Sequence, residues 1–469
     1  MDEKLIEKID EMIEEATADL ARDTIKLVNV KSVEDKAVPG APFGEGAKRV
    51  LDTFTEMAKD EGLFTEDYNV GFISAAMKEG KPDLGIWLHG DVVPEGEGWS
   101  FEPYAATEYK GCIIGRGATD NKGQLCAVFH LFKIFKKLGI ELKYNPAIYL
   151  GSNEETGMRD MIGVPGNPDA KGFLNVATPP RLSLVPDGSF PVGYGGKGGM
   201  NIALVSRARV RGLSVLAGHN DAPGLASAVF TRKVKLPESI NECTVEGEKR
   251  NTVTAFTPPR HTSSPDPNGN MITKLARGLI DAGVLTRRER RIFEFLEKTS
   301  LDINGREMGI FTEHENMKPL TVFAKRVEMI GAHPAVTFNI RYPVGITYEE
   351  IVKRLTDYGK KHGFKLLWSL PGVAPYILDP NNDIVNELTA ISNEITGQDK
   401  KPYTLGGGTY AHRLPNAYVF GMDGNLPPED FPKGKGGAHG IDEAVSLMRL
   451  KRAMKIYARA LLKLNEMEW

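Results

Sequence analysis

Short, almost wholly apolar runs alternate with helical periodicity in the amino-terminal part of the chain. One run covers residues 84–88 (LGIWL), a second covers 147–150, and a helical segment at 122–138 lies between them. Strands that are apolar on both faces are buried on both sides, which is typical of parallel sheets covered by helices. The alternation therefore predicts an α/β fold with a mostly parallel sheet flanked by helices.

The pattern changes near residue 193. Antiparallel strands and helices are then predicted in separate blocks, with β segments within 200–237 and 320–342 and helices at 272–282, 287–298 and 348–362. Segregated strands and helices are typical of an α+β domain. We therefore expect an inserted lid domain over residues 193–375, within a catalytic domain formed by residues 1–192 and 376–469.

Apolar residues at spacings of three and four predict further helices in the catalytic domain. They are expected at residues 3–29, 45–60, 383–396 and 442–464, with one more strand at 417–420. The 469-residue length leaves room for a sizeable core in each domain.

Charge and cysteine content exclude several classes of protein. Lys and Arg number 59 against 62 Asp and Glu, and a net charge of −3 gives no field for a nucleic-acid backbone or an anionic membrane. No apolar run approaches the roughly 20 residues of a membrane span, and the acidic amino terminus lacks a secretory signal. Three cysteines without CxxC spacing do not form a disulfide framework. We expect a cytoplasmic protein with reduced thiols and neither a nucleic-acid nor a membrane partner.

Imidazole and carboxylate side chains follow several of the predicted strands. They are His89, Asp91, Asp120, Glu154, Glu155, Asp187 and His439. Taken singly, each has a simpler explanation, since Asp120 could cap the helix that follows it and an exposed Glu-Glu pair is ordinary. Taken together, ligands of only these two types at the strand ends fit a site for two divalent ions.

Glycine-rich segments offer a competing interpretation, nucleotide binding. The segments GYGGKGG (193–199) and TLGGGTY (404–410) are the candidates. Neither matches the P-loop pattern, and neither is a convincing GxGxxG after a strand. Nucleotide binding is therefore disfavoured.

Seven sequence blocks, in this order along the chain, resemble those of a known enzyme family. The blocks are HGDVVPEGEGW, GRGATDNKG, NEETG, PDGSFPV, NIRYP, GGGTYA and the late His439. They are similar to those of the metallopeptidases of the aminoacylase and carboxypeptidase G type, and most closely to the dipeptidase V branch. The resemblance implies a dimetal hydrolase whose lid is ferredoxin-like, and the length of the insertion leaves room for two lobes.

The resemblance also implies a role for each site residue. Asp120 would bridge both metals. His89 and Asp187 would complete the coordination of one ion, and Glu155 and His439 would complete that of the other. Asp91 would orient His89, and Glu154 would be the general base. The peptide bond after Asp120 would be cis. Asn220, His261 and Arg341 would bind the substrate, with His219 as a rival to Asn220.

The function implied is hydrolysis of the amide bond of dipeptides with a free amino terminus by a metal-activated water. An N-acyl amino acid deacylase with the same chemistry is the alternative, and a non-catalytic peptide-binding relative is a further one. The cofactors would be two divalent ions, zinc before manganese or cobalt. We expect a monomer whose lid serves its own site, with a homodimer as the alternative.

Overall fold

A computed structural model describes residues 2–164, 166–217, 224–247, 251–257, 266, 270–422, 428, 431–432 and 434–469. The chain forms two compact units. The larger contains Met1–Gly195, Leu378–Tyr403 and Thr409–Trp469, and the smaller contains Gly196–Ile377 and Thr404–Gly408. The assignment of these units as a catalytic domain and a lid stays a prediction.

Helices and strands follow one another in a mixed order along the chain. The helices are α1 (Glu3–Glu15), α2 (Thr17–Val28), α3 (Glu45–Asp60), α4 (Gly123–Lys137), α5 (Arg159–Ile162), α6 (Phe173–Val176), α7 (Met271–Asp281), α8 (Arg287–Leu301), α9 (Tyr348–Lys361), α10 (Asp383–Thr396) and α11 (Leu447–Leu464). The strands are β1 (Phe64–Asp67), β2 (Phe72–Ala76), β3 (Leu84–His89), β4 (Thr107–Tyr109), β5 (Cys112–Ile114), β6 (Pro146–Gly151), β7 (Leu182–Val185), β8 (Gly193–Gly196), β9 (Gly198–Ser206), β10 (Leu213–Ala217), β11 (Gly224–Phe230), β12 (Cys243–Glu246), β13 (Thr252–Thr257), β14 (Thr321–Ile330), β15 (His333–Tyr342), β16 (Phe364–Pro371), β17 (Tyr376–Ile377), β18 (Tyr403–Leu405), β19 (Ala417–Val419) and β20 (Ala444–Ser446).

A mixed sheet runs through the larger unit in the order β1-β2-β6-β3-β7-β19-β8. Its central strands β6, β3, β7 and β19 are parallel to one another, as the apolar runs predict. Towards the edges, β1 with β2, β2 with β6 and β19 with β8 are antiparallel. The turn between β1 and β2 is short, and a short turn can join only antiparallel neighbours. The predicted α/β class is confirmed, with a mixed sheet.

Strand β3 lies in the middle of this sheet and is buried along its whole length. The ring of Trp87 stacks on that of Tyr149 with centroids 4.2 Å apart, and the indole Nε1 donates a hydrogen bond to the Ser183 hydroxyl at 3.0 Å. This packing fixes the strand whose last residue is His89. Helix α4 is also buried over most of its surface, and within it His130 contacts the Asp23 carboxylate at 2.9 Å.

The smaller unit contains two antiparallel sheets, β10-β11-β13-β12 and β14-β15-β9-β16. A single apolar cluster includes side chains from both sheets and from α7, α8 and α9. The expected α+β character of the insertion is therefore confirmed, and the two sheets share one core. No helix in the described ranges is long and apolar enough to cross a membrane.

Candidate metal centre

Two groups of potential metal ligands lie in the larger unit and share one carboxylate. The first is His89, Asp120 and Asp187, and the second is Asp120, Glu155 and His439. Within each group, one nitrogen or oxygen atom from every residue lies within 4.8 Å of the others. The structure thus brings together all five side chains that the sequence predicts as ligands.

Strand order explains why these residues meet. His89 is the last residue of β3, and Glu155 and Asp187 follow β6 and β7 closely. Because β6, β3 and β7 are parallel neighbours, their carboxyl ends lie at the same edge of the sheet. That edge is where α/β sheets bind their ligands.

Asp120 joins the two groups. One oxygen of its carboxylate, Oδ1, lies 3.0 Å from Nε2 of His89, and the other, Oδ2, lies 3.3 Å from Nε2 of His439. The same His439 nitrogen lies 3.0 Å from Oε1 of Glu155. The peptide bond between Asp120 and Asn121 is cis, as expected. Asp120 thus has an imidazole near each carboxylate oxygen and belongs to both groups of potential ligands.

Glu154 belongs to neither group. Its side chain is buried, with 9% of the residue exposed, and Oε1 has no hydrogen-bond partner among the described residues. A buried carboxylate oxygen without a partner is costly, and such groups in native proteins are associated with catalytic roles or bound ions. Glu154 is therefore available for a proton or a water molecule.

Asp91 positions the two glutamates. Its carboxylate accepts hydrogen bonds from the backbone N–H groups of Glu154 and Glu155, each at 3.1 Å. The His89 ring contacts Asp91 through Nδ1, which lies 3.0 Å from the backbone carbonyl oxygen and 3.6 Å from the carboxylate. The closest contacts of this carboxylate are thus with the glutamate backbone, and its predicted role toward His89 stays a prediction.

Two more buried carboxylates hold the backbone of the site, and the sequence did not single them out as functional. Asp160 accepts hydrogen bonds from the N–H groups of Ser152 and Asn153, at 2.8 and 2.9 Å, and from the Tyr410 hydroxyl. Glu443 accepts from the backbone of the turn before Asp120. In the sequence, each is only a carboxylate a few residues after a predicted ligand. That spacing alone does not distinguish these two residues from ordinary surface carboxylates.

Negative charge accumulates in the site. Burial, and then repulsion from Asp120, raises the pKa of Asp187 to about 7. Burial, and then repulsion from Asp187, raises the pKa of Glu154 well above its usual range. Partial desolvation would lower the pKa of His439, whose side chain is 49% exposed, but hydrogen bonds with Asp120 and Glu155 raise it to about 11. The clustered carboxylates outnumber the two imidazoles, and divalent cations would balance this surplus.

The three predicted substrate-binding residues give less information. Asn220 and His261, and the rival His219, lie outside the described residues. Arg341 lies on β15 in the smaller unit, where burial lowers the pKa of its guanidinium group. Its role in substrate binding stays a prediction.

Comparison with known proteins places the chain in a family. It is 27% identical to a Bacillus subtilis (strain 168) protein with the provisional name dipeptidase YtjP, and the match covers 95% of this chain and 97% of the other. Its fold is similar to that of human carnosine dipeptidase 1 (16% identity, TM-score 0.59, 99% of both chains) and of the dipeptidase Dug1p from Saccharomyces cerevisiae (15% identity, TM-score 0.59, 99% of both chains). The sequence profile of peptidase family M20/M25/M40 matches residues 86–463. This match covers most of the sequence, and the chain therefore belongs to peptidase family M20/M25/M40.

Proposed function

We propose that this chain is a metal-dependent dipeptidase. The observation that carries the proposal is the pair of ligand groups sharing Asp120, with the buried and unpartnered carboxylate of Glu154 beside them. Membership of a peptidase family and the name of the full-length Bacillus relative support the same reaction. The substrates are dipeptides with a free amino terminus.

Two divalent ions fit the donor set. Asp120 would be shared by both ions, His89 and Asp187 would complete the first site, and Glu155 and His439 would complete the second. All donors are imidazole nitrogens and carboxylate oxygens without thiolate, a set that suits zinc and also manganese or cobalt. We propose zinc, because two imidazoles and three carboxylates are ordinary zinc ligands. When bound, the ions polarise a carbonyl oxygen and lower the pKa of water.

Glu154 moves the proton. Its Oε1 accepts a proton from the water that attacks the amide carbon, and the same oxygen then donates that proton to the leaving amine nitrogen. The carbon–nitrogen bond breaks, and a carboxylate and a free amine are released.

We further propose that the enzyme is cytoplasmic and monomeric. All three cysteines are free thiols, as in proteins of a reducing compartment. The monomer proposal rests on the length of the insertion, which leaves room for a lid that serves its own chain.

A substrate panel tests the proposed activity. Purified protein, freed of metal with a chelator and reloaded with zinc, manganese or cobalt, is assayed on dipeptides, on N-acetylated amino acids and on dipeptides with a blocked amino terminus. We expect hydrolysis of free dipeptides only, loss of activity after chelation, and a kcat for Glu154→Gln that is lower by about 100-fold or more. Preference for the acetylated substrates would instead establish a deacylase. Metal-loaded protein inactive on every substrate would contradict both activities.

A further inference from the structure

A buried ion pair lies behind the candidate metal centre. Arg116 and Glu443 are 1% and 0% exposed, and Nη1 of Arg116 donates a hydrogen bond to Oε2 of Glu443. The two residues are 327 positions apart in sequence. Arg116 is four residues before Asp120, and Glu443 is four residues after His439. The pair therefore joins the two segments that carry these proposed ligands.

Glu443 holds the segment of Asp120. Its Oε1 accepts hydrogen bonds from the backbone N–H groups of Gly117, Thr119 and Asp120, at 3.1, 3.1 and 3.0 Å. Losing such a partner would leave buried N–H donors unsatisfied, which is unfavourable. Both oxygens of Glu443 are thus engaged with protein groups, so Glu443 acts on the turn and is not itself a ligand.

Arg116 holds the segment of His439. Its Nη2 donates to the backbone carbonyl oxygen of His439 at 3.3 Å and to that of Glu95 at 3.1 Å. The guanidinium lies over the Trp99 ring, 5.1 Å from its centroid. His439 has a φ of 61°, and a left-handed residue other than glycine needs its surroundings to hold it there. Arg116 provides one such contact.

We infer that Arg116 and Glu443 are positioning residues that fix Asp120 relative to His439, and so set the affinity of the Asp120–Glu155–His439 group for its cation. This inference rests on the proposed function. Arg116 contacts the backbone of His439 but donates no hydrogen bond to His89 or Asp187, the other ligands of the first group. Loss of the pair should therefore weaken the second cation more than the first.

Two variants break the link that Arg116 and Glu443 form between the segments of Asp120 and His439, each in a different way. Arg116→Lys keeps a positive charge for Glu443 but lacks the second nitrogen that reaches His439. Glu443→Gln keeps an oxygen for the backbone N–H groups but removes the charge that holds Arg116. Glu289→Gln is the matched control, because Glu289 is buried and pairs with Arg232 at 2.8 Å in the smaller unit.

The measurement is cobalt binding to the metal-free full-length chain, by equilibrium dialysis and by the visible absorption of each bound ion. His439→Ala and His89→Ala identify which absorption band belongs to which group. We expect Arg116→Lys and Glu443→Gln to bind the second ion about 10- to 100-fold more weakly, a typical effect of losing an outer partner of a ligand. The first ion, which also uses Asp120, should be weakened to a clearly smaller extent. The weakened band should be the one that His439→Ala removes. Glu289→Gln should bind both ions normally.

Each alternative result overturns the inference. Wild-type affinity for both ions in the two variants would mean that the pair does not position the ligands. Equal weakening of both ions, or the same weakening in Glu289→Gln, would indicate a general loss of stability. If Glu443→Gln does not fold, Arg116→Lys alone decides by the same criteria. The dialysis is first done with the wild-type chain. If the wild type binds no ion, the proposed function is overturned before any variant is compared.

Discussion

The Asp91 carboxylate accepts a hydrogen bond from the backbone N–H of Glu154 at 3.1 Å. Its second oxygen accepts from the next N–H, that of Glu155, at the same distance. A residue that follows β3 thus fixes the backbone of the proposed base and of a proposed ligand that follow β6. The orientation of Glu154 depends on a contact between two adjacent strand ends.

Replacing Asp91 should therefore impair the base more than substrate binding. In Asp91→Ala, both glutamate N–H groups lose their acceptor, and we expect kcat to fall about 100-fold because a small displacement of a catalytic group has effects of that order. The kcat of Asp91→Asn should fall less, because the single carbonyl oxygen of the amide still accepts one of the two hydrogen bonds. Steady-state kinetics of both variants with zinc loaded would test this. An unchanged kcat in Asp91→Ala would contradict the prediction.

The adjacent glutamates should behave differently. Glu154→Gln should lower kcat by about 100-fold or more, the usual contribution of a general base, while the metal content stays at the wild-type value. Glu155→Gln should lose one ion, because it removes a proposed ligand. Metal analysis after gel filtration and dipeptide kinetics distinguish the two. Equal metal loss in both variants, with activity kept in Glu154→Gln, would reverse the assignment.

Local periodicity predicts much of the fold but not its breaks. The predicted helices at 45–60 and 383–396 coincide with α3 and α10. The single helix predicted over 3–29 is wrong, because the backbone at Ala16 has a ψ of −2° and separates α1 from α2. Such a break leaves the apolar spacing on both sides intact, so the spacing alone does not reveal it.

The start of the last helix is set by contacts with residues far away in the sequence. It is predicted from residue 442 but begins at Leu447, because Ala444–Ser446 pairs with β5 as strand β20. Asp442 has a φ of 53°, and its Oδ1 accepts the N–H of Ser100 at 2.6 Å. That contact joins residues 342 positions apart and has no local signature.

The same distinction applies to the site. Strand ends predict His89, the Glu154–Glu155 pair and Asp187, because parallel strands deliver their carboxyl ends to one edge, and the resemblance is what implies that Glu155 is the ligand of that pair. The partners that hold the site, Arg116 and Glu443, meet only after the chain has folded, and each alone resembles an ordinary charged residue near a turn. The ligand candidates can be predicted because each has a recognisable place at the end of a strand or the start of a helix. Residues whose contacts form only in the tertiary structure have no such local pattern.

The core behind the site should be sensitive to loss of volume. Trp87→Ala removes a fully buried indole that stacks on Tyr149 and leaves the Ser183 hydroxyl without its donor. We expect the free energy of unfolding to fall by about 3–5 kcal/mol. Trp368, which is 41% exposed on β16, provides the control. Trp368→Ala should change the free energy of unfolding by about 0.5 kcal/mol or less. Urea titrations of both variants measure the difference, and similar losses would contradict it.

Mixing two inactive chains tests the monomer proposal. Glu154→Ala lacks the proposed base, and His261→Ala lacks a predicted substrate-binding histidine. If each chain supplies all of its own groups, the mixture should stay as inactive as its components. Recovery of up to about a quarter of wild-type activity after joint refolding would mean that the histidine is donated between subunits. Analytical ultracentrifugation of the wild type provides the independent measure of subunit number.

Acid stability should report on Glu95, which anchors the loop after Asp91. A hydrogen bond from Lys31 at 2.8 Å is the main reason that the pKa of Glu95 is lowered to about 2, and the Tyr104 hydroxyl also donates to it at 2.9 Å. Since the folded pKa lies below the unfolded value of 4.5, the charged form favours folding. Its contribution is complete above about pH 4.5 and is lost as the pH falls toward about 2.

Glu95→Gln should therefore destabilise the protein at pH 7 and progressively less in acid. Urea unfolding at pH 7, 4.5 and 3 measures the difference from the wild type, which should be similar at the first two values and smaller at the third. Glu97→Gln is the matched control, because Glu97 is exposed and forms no ion pair with the residues described in the structure. A difference that stayed constant down to pH 3 would show that the charge of Glu95 does not stabilise this loop, because only a contribution that depends on ionisation disappears on protonation.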